Sequence, residues 1–309
     1  MPALYSRRSL LVRSAVFFAA AQTAGLTRLW GASPNTKPGV QLFMLADEIK
    51  KDPAGTLAGL AAMGYGYVEA FGMGIQNMAE FKKMVADAGL ACPCGHFGFG
   101  FEDTEKALDD AAVLGVRYAI SSILPLAPPK NGDFRELFTK LNHLSADDFK
   151  QMAEFSNRIG ESARRRGLEF AYHNHNIEFR RFETGLTGYD ILLKETDHAL
   201  VKLEVDAGWM AAAGADPASI IAANAGRIPM LHFKDLSTLT PATTELGGDA
   251  SKHIVDLGTG VAPLKAAFQA ARKASTEYFI VDHDPPFHNK TALEAAKVDF
   301  DYVAGLMAS

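Results

Sequence analysis

From Pro38 onward the chain alternates two kinds of segment. Short runs rich in β-branched and aromatic residues alternate with longer Ala-rich stretches of helical period that mostly close on glycine. The first apolar run is Val40–Leu45. A helix predicted over Thr56–Met63 stops at Gly64, and a second run follows at Tyr67–Ala70. Helix Met78–Ala88 stops at Gly89 before Leu90–His96, and helix Thr104–Leu114 stops at Gly115 before Arg117–Leu124. Helix Ala146–Arg166 ends at Gly167, and the fifth run is Leu168–His175. Three more follow at Val201–Asp206, Ile228–Lys234 and Tyr278–His283. Glycine just past a helical stretch is the residue that closes a helix in the left-handed conformation.

Alternation of strands with helices predicts a parallel sheet with helices outside it. Eight such units in roughly 250 residues is the size of a single (β/α)8 TIM barrel, an α/β fold. The competing doubly wound sheet wants a Gly-rich phosphate turn after an early strand, and no G-x-G-x-x-G lies there. The longer connections follow the fourth, fifth and seventh strands. In a barrel they fall on the C-terminal face, where sites are built.

The segment before the barrel reads differently. Arg7-Arg8 precedes an apolar run, Ala15–Leu26, and the small residues Gly31, Ala32 and Ser33 stand before Pro34. A basic start, an apolar middle and a small-residue exit mark a secretory signal, here of the twin-arginine type. The alternative is an amphipathic N-terminal helix of the mature domain. The expected organisation is therefore a signal over residues 1–33 and a barrel over 38–309. The expected location is the periplasm or the outside of the cell, with no membrane association once the signal is removed.

Composition narrows the function. With 48% hydrophobic and 22% charged residues the chain is globular rather than disordered. A net charge of -5 argues against a protein that holds nucleic acid by bulk basicity. The two cysteines, Cys92 and Cys94, are two residues apart on one predicted strand. A disulfide between them would be strained, so they are expected reduced.

Titratable residues gather at the predicted strand ends: Glu69, His96, then His173, Asn174 and His175, then Glu204 and Asp206, then His232, Lys234 and Asp235, then Asp282, His283 and Asp284. Residues two apart on a strand share a face. His173 with His175, Glu204 with Asp206, and His232 with Lys234 are thus expected to converge at the barrel mouth, with five of the nine histidines there. Imidazole together with carboxylate suits a divalent metal. Mn²⁺ is the first expectation, with Zn²⁺, Co²⁺, Fe²⁺ or Mg²⁺ as alternatives. Each residue also has a plainer reading: a strand-end histidine held by a hydrogen bond, a barrel-lining glutamate, and Asp235 capping the turn after it. Phe43, Phe71, Phe97, Trp209 and Phe287 are candidate rim aromatics for a sugar ring, or rim packing.

The ordered set Gly39-Val40-Gln41-Leu42, Gly66-Tyr67-Val68-Glu69, Ala171-Tyr172-His173-Asn174-His175, Glu204-Val205-Asp206-Ala207-Gly208-Trp209, Pro229 to Asp235 and Ile280 to Asp284 resembles the xylose isomerase-like barrel superfamily, with its sugar isomerases, epimerases and inosose dehydratases. The resemblance covers nearly all of the chain after the signal. It implies a divalent metal held by His173, Asp206, His232 and Asp282. His173 and Asp282 stand where the superfamily has glutamates that also move protons, so a two-base epimerisation does not carry over. The His-rich fifth strand is closer to the inosose dehydratase-like members.

The implied chemistry is removal of a proton next to a carbonyl. His175 or His283 is the candidate base, Lys234 the group that meets the developing oxyanion, and Glu69 a further acid–base candidate. His96, Asn174, Glu204 and Trp209 are candidate sugar contacts. The expected substrate is a small unphosphorylated keto-sugar or keto-glycoside, because sugar phosphates stay inside the cell. Isomerisation, epimerisation and elimination all remain open. So do an abasic-site endonuclease-like phosphodiesterase and a non-catalytic sugar-binding barrel. A homo-oligomer is compatible with the sequence.

Overall fold

The computed structural model describes residues 36–100, 103–122, 124 and 134–309, so the proposed signal lies outside the described residues. Eight parallel strands close into a barrel: β1 Gly39–Gln41, β2 Tyr67–Phe71, β3 Ala91–His96, β4 Tyr118–Ser121, β5 Glu169–His173, β6 Val201–Asp206, β7 Met230–Phe233 and β8 Tyr278–Val281. Each is hydrogen-bonded to its sequence neighbours, and β1 closes the ring on β8 with Gly39 opposite Ile280. The single-barrel expectation holds for the described residues.

A main helix follows each strand: α1 Pro53–Met63, α2 Met78–Asp87, α3 Thr104–Leu114, α4 Ala146–Arg165, α5 Gly188–Glu195, α6 Pro217–Ala223, α7 Leu264–Lys273 and α8 Ala292–Ala308, with shorter helices at Ala46–Lys51, Phe134–Leu141 and Ala207–Ala212. Their starts are chemically explicit. Asp52, Asn77 and Asp103 accept from backbone N–H groups of the first turn, and Ser145, Thr187 and Thr291 open full capping boxes. Two ends use left-handed glycine, Gly64 at φ 112° and Gly115 at φ 84°.

Helix faces pack on the outward residues of the strands, such as Phe170, Phe233 and Phe279. The inward residues Tyr67, Cys94, Tyr118, Ile120, Ala171, Met230, Tyr278 and Ile280 form a separate apolar plug in the barrel interior. Below that plug Arg117 bridges Glu169 and Glu277. Above it the lining turns polar.

Several strands are shorter than the hydrophobic runs suggest. After Gln41 the chain winds into a 3-10 turn over Leu42–Leu45, because the Gln41 side chain accepts from Phe43 N–H. After His173 the side chain of Asn174 takes over the pairing with β6. It donates to Asp206 O at 3.3 Å and accepts from Asp206 N–H at 3.1 Å. The cysteines are free, Cys94 is buried, and burial pushes the Cys92 thiol up to about 12.

Candidate functional site

The polar layer above the plug is two tiers deep. Its residues are buried: Glu69, Glu204, Asp206, His232 and Lys234 expose nothing, and His96 and His173 expose 5% and 3%. Register places them together. His173 lies opposite Glu204, Asp206 opposite His232, and Gln41 opposite Glu69.

The upper tier is His173, Asp206, His232 and Asp282, and one donor atom of each lies within 4.8 Å of the others. Asp206 caps the helix Ala207–Ala212 through Oδ1, which accepts from Trp209 N–H at 2.8 Å. Its Oδ2 is buried without a hydrogen-bond partner, 4.0 Å from His173 Nε2. His232 Nδ1 lies 3.1 Å from Asp282 Oδ2. Two imidazoles, two carboxylates and an orphaned oxygen aimed at the group fit a divalent metal.

Lys234 completes this tier. Its Nζ donates to Asp284 Oδ2 at 2.8 Å and lies 3.1 Å from Asp282 Oδ2 and 4.0 Å from Asp206 Oδ2. Burial opposes its charge, but Asp282, Asp284 and Asp206 outweigh it and hold the ammonium protonated well above the usual lysine range. The ammonium also sits 5.6 Å from the centre of the Trp209 ring. Gly208 makes this possible, since a Cβ there would lie 2.3 Å from Lys234 O.

Charge is divided unevenly over the imidazoles. Burial pulls His173 down to about 3 and His175 likewise to about 3, the latter with help from Lys234. Both rings are neutral at physiological pH. Burial acts the same way on His96, but Glu69 and Glu204 overcome it and push that ring up to about 9. Burial raises Asp206 to about 7 against the pull of Lys234.

The lower tier holds Glu69, expected as an acid–base group, and His96 and Glu204, expected as sugar contacts. Glu69 and Glu204 are one level beneath the mouth, against the ring nitrogens of His96, His173 and His232. Asn174 spends its amide on the backbone of Asp206 and on His175 O. Trp209 is 3% exposed beside His175, with ring centres 6.1 Å apart.

His283 does not join the cluster. Tyr278, Ile280 and therefore Asp282 face the interior, so His283 faces the helices. Its Nδ1 lies 2.8 Å from Asp299 Oδ2 on α8. The mouth thus holds four of the five expected histidines. Asp235 has the plainer role: its carboxylate accepts from the N–H groups of Leu236, Gly258, Gly260 and Ala262 and ties down the loop after β7. Phe97 is buried rather than on the rim, Phe43 stays 44% exposed against Phe71, and Phe287 packs on His283.

Two contributors had no role assigned from the sequence. Asp284, already among the strand-end acids, is the closest partner of Lys234, and its spacing of two from Asp282 signals the shared face. Glu178 accepts from His175 N–H at 3.0 Å and from Tyr172 OH at 2.7 Å, fixing the turn that carries His175; its spacing of three from His175 is the only hint.

Comparison with known proteins agrees with this geometry. The family model for the xylose isomerase-like TIM barrel matches residues 57–298. An inosose dehydratase from Lacticaseibacillus casei is 26% identical over 177 residues, covering 53% of this chain and 57% of that protein, so the match spans little more than half of the relative's length. A sugar phosphate isomerase/epimerase from Parabacteroides distasonis superposes with a TM-score of 0.69 at 24% identity, covering 88% of this chain and 94% of that one. The IOLI protein, solved with a bound zinc atom, superposes at 0.65 with 15% identity, covering 88% and 98%. On the match over residues 57–298, the chain belongs to the xylose isomerase-like TIM barrel family.

Proposed function

We propose that this barrel is a divalent-metal-dependent enzyme that removes a proton next to the carbonyl of an unphosphorylated keto-sugar or keto-glycoside. Elimination of a β-hydroxyl or β-alkoxyl is the favoured outcome, with isomerisation as the alternative. The single observation that carries it is the convergence of His173, Asp206, His232 and Asp282 around one point beside a buried, protonated Lys234. His173, Asp206, His232 and Asp282 would hold the ion, Mn²⁺ first. Bound there, it supplies Lewis acidity that polarises the carbonyl and lowers the barrier to enolate formation.

The chain's own groups do the rest. His175 is neutral, and its Nδ1 is buried without a hydrogen-bond partner, so its lone pair is free to act as general base. Lys234 stays protonated and meets the charge that develops on oxygen. The Trp209 ring beside them gives a sugar face an apolar surface. Similarity to an inosose dehydratase supports elimination. The replacement of both epimerase glutamates, by His173 and Asp282, speaks against a two-base epimerase. Export through the twin-arginine signal is part of the same reading, and it favours a substrate without phosphate.

The test is solvent exchange. Purified protein with Mn²⁺ should wash deuterium from heavy water into the carbon beside the carbonyl of a keto-sugar or keto-glycoside, with loss of water or alcohol as product forms. No exchange across a broad panel of such compounds would sink the reading.

A further inference from the structure

Beneath the upper tier lies a group of side chains of which the proposed reaction uses only His232. Glu69, His96, Glu204 and His232 come from β2, β3, β6 and β7, and all but His96 are entirely enclosed. Neither oxygen of Glu69 has a hydrogen-bond partner, nor do Oε1 of Glu204 or Nε2 of His232. Buried polar atoms are rarely left this way, and each specific case calls for an explanation such as an ion.

The atoms are nonetheless close. Glu69 Oε1 is 3.0 Å from the Nε2 atoms of both His96 and His232. His232 Nε2 is 3.2 Å from Glu204 Oε1, and His96 Nε2 is 2.9 Å from Glu204 Oε2. Most of these approaches are misdirected for hydrogen bonds, which is how atoms aimed at a shared centre behave. A tetrahedral ion with bonds of about 2.0–2.1 Å to nitrogen and oxygen holds its ligand atoms about 3.3 Å apart, close to these separations. Charge permits it. Without metal, Glu69 and Glu204 are balanced by protons on His96 and His232, and a divalent cation that displaced those two protons would leave the same net charge.

We propose that the barrel binds two divalent ions, the second at this lower site, with Glu69, His96, Glu204 and Nε2 of His232 as its ligands. Nitrogen with carboxylate oxygen selects a transition ion of the Zn²⁺ or Mn²⁺ kind over Ca²⁺. His232 then links the tiers, Nδ1 upward to the Asp282 side and Nε2 downward, and releases both ring protons to solvent when both sites fill. His173 does not link them. Its Nδ1 lies 2.9 Å from Glu204 Oε2, while its Nε2 faces the upper tier, 4.0 Å from Asp206 Oδ2.

The proposal relies on the functional reading only for the upper ion, and its test counts ions rather than turnovers. Chelator-stripped protein is reloaded with Zn²⁺ or Mn²⁺, and bound metal is measured by mass spectrometry and by titration calorimetry, with circular dichroism to verify folding. Wild type should hold two ions per chain. Glu69→Gln and His96→Ala should each hold one, and Asp206→Asn should hold one, at the lower site. One ion in wild type with no loss in His96→Ala overturns the proposal and makes the lower tier a proton-balanced network, whatever the exchange assay shows. Loss of every ion in a folded His96→Ala variant overturns it too. Should that variant not fold, anomalous scattering from metal-soaked wild-type crystals decides: two peaks support the second site, and a single peak beside Asp282 rejects it.

Discussion

Lys234 is enclosed together with three carboxylates, and that fixes what its removal does. In Lys234→Met the charges of Asp206, Asp282 and Asp284 lose their buried partner. Breaking a buried ion group by deleting one member costs about 3–5 kcal/mol, so the metal-free variant should unfold at markedly lower denaturant. Added divalent metal should recover part of that loss by standing in for the ammonium. The histidines separate by the same logic of facing. His175→Gln should slow deuterium wash-in by about a hundredfold or more while leaving bound metal unchanged, the usual size of a lost general base. His283→Gln should leave exchange untouched and show only in stability, because its ring contacts Asp299 on the helix side. That contrast was already present in the sequence. Counting by twos from Tyr278 puts Asp282 inside and His283 outside. The type of residue at a strand end was legible, but the level at which it sits was not. Glu69 and Glu204 look like mouth residues until their registers opposite Cys94 and Met230, both in the apolar plug, place them a tier lower.

At the scale of elements, the helices were readable nearly to the residue, since Ser145, Thr187 and Thr291 cap locally and Gly64 and Gly115 end their helices locally. Strand ends depend on the neighbouring strand and were read too long. β5 is the instructive case. Its hydrogen-bonded ladder stops at His173, and Asn174 continues it with a side chain. Asn174→Ala would strip partners from both the N–H and the C=O of Asp206. Each buried group left unpaired costs about 1–3 kcal/mol, so a clear loss of stability and weaker metal binding are expected together, readable by melting and by calorimetry. The turn that follows carries its own pH dependence. Burial raises Glu178 from 4.5 to about 7. A carboxyl whose folded value is raised adds stability that is complete below 4.5 and is lost as pH climbs through about 7, an effect of order 3 kcal/mol. Wild type should therefore lose stability between those values, and Glu178→Gln, with its amide facing Tyr172 OH, should lose less across the same window, where Asp206, raised to about 7, still titrates. Equal slopes in denaturant melts of the two proteins would refute this.

Across the whole molecule, the eightfold count was the most legible feature, because each unit repeats the same local grammar and a closed ring is the arrangement that leaves no strand edge. What the count cannot carry is depth. The barrel interior is apolar up to Tyr278, Ile280 and Met230, and then changes within one turn of the pleat to a layer of carboxylates, imidazoles and one ammonium. Such a layer is a poor core. Its charges are desolvated, and without metal they are balanced only by protons and by Lys234. The family fold should therefore be more stable when loaded. An ion bound only by the folded chain stabilises it by about 2.7 kcal/mol at a concentration one hundred times its dissociation constant. Chelation should lower the melting temperature by several degrees, and Mn²⁺ or Zn²⁺ should restore it in a concentration-dependent way. Asp206→Asn should weaken that dependence without abolishing it, because it removes the orphaned oxygen of the upper tier and leaves the lower tier intact. His283→Gln should preserve the dependence from a lower baseline, since its ring lies outside the layer. A melting temperature indifferent to both chelator and metal would mean that the layer is closed by protons alone, and the metal-dependent reading of the mouth would fall with it.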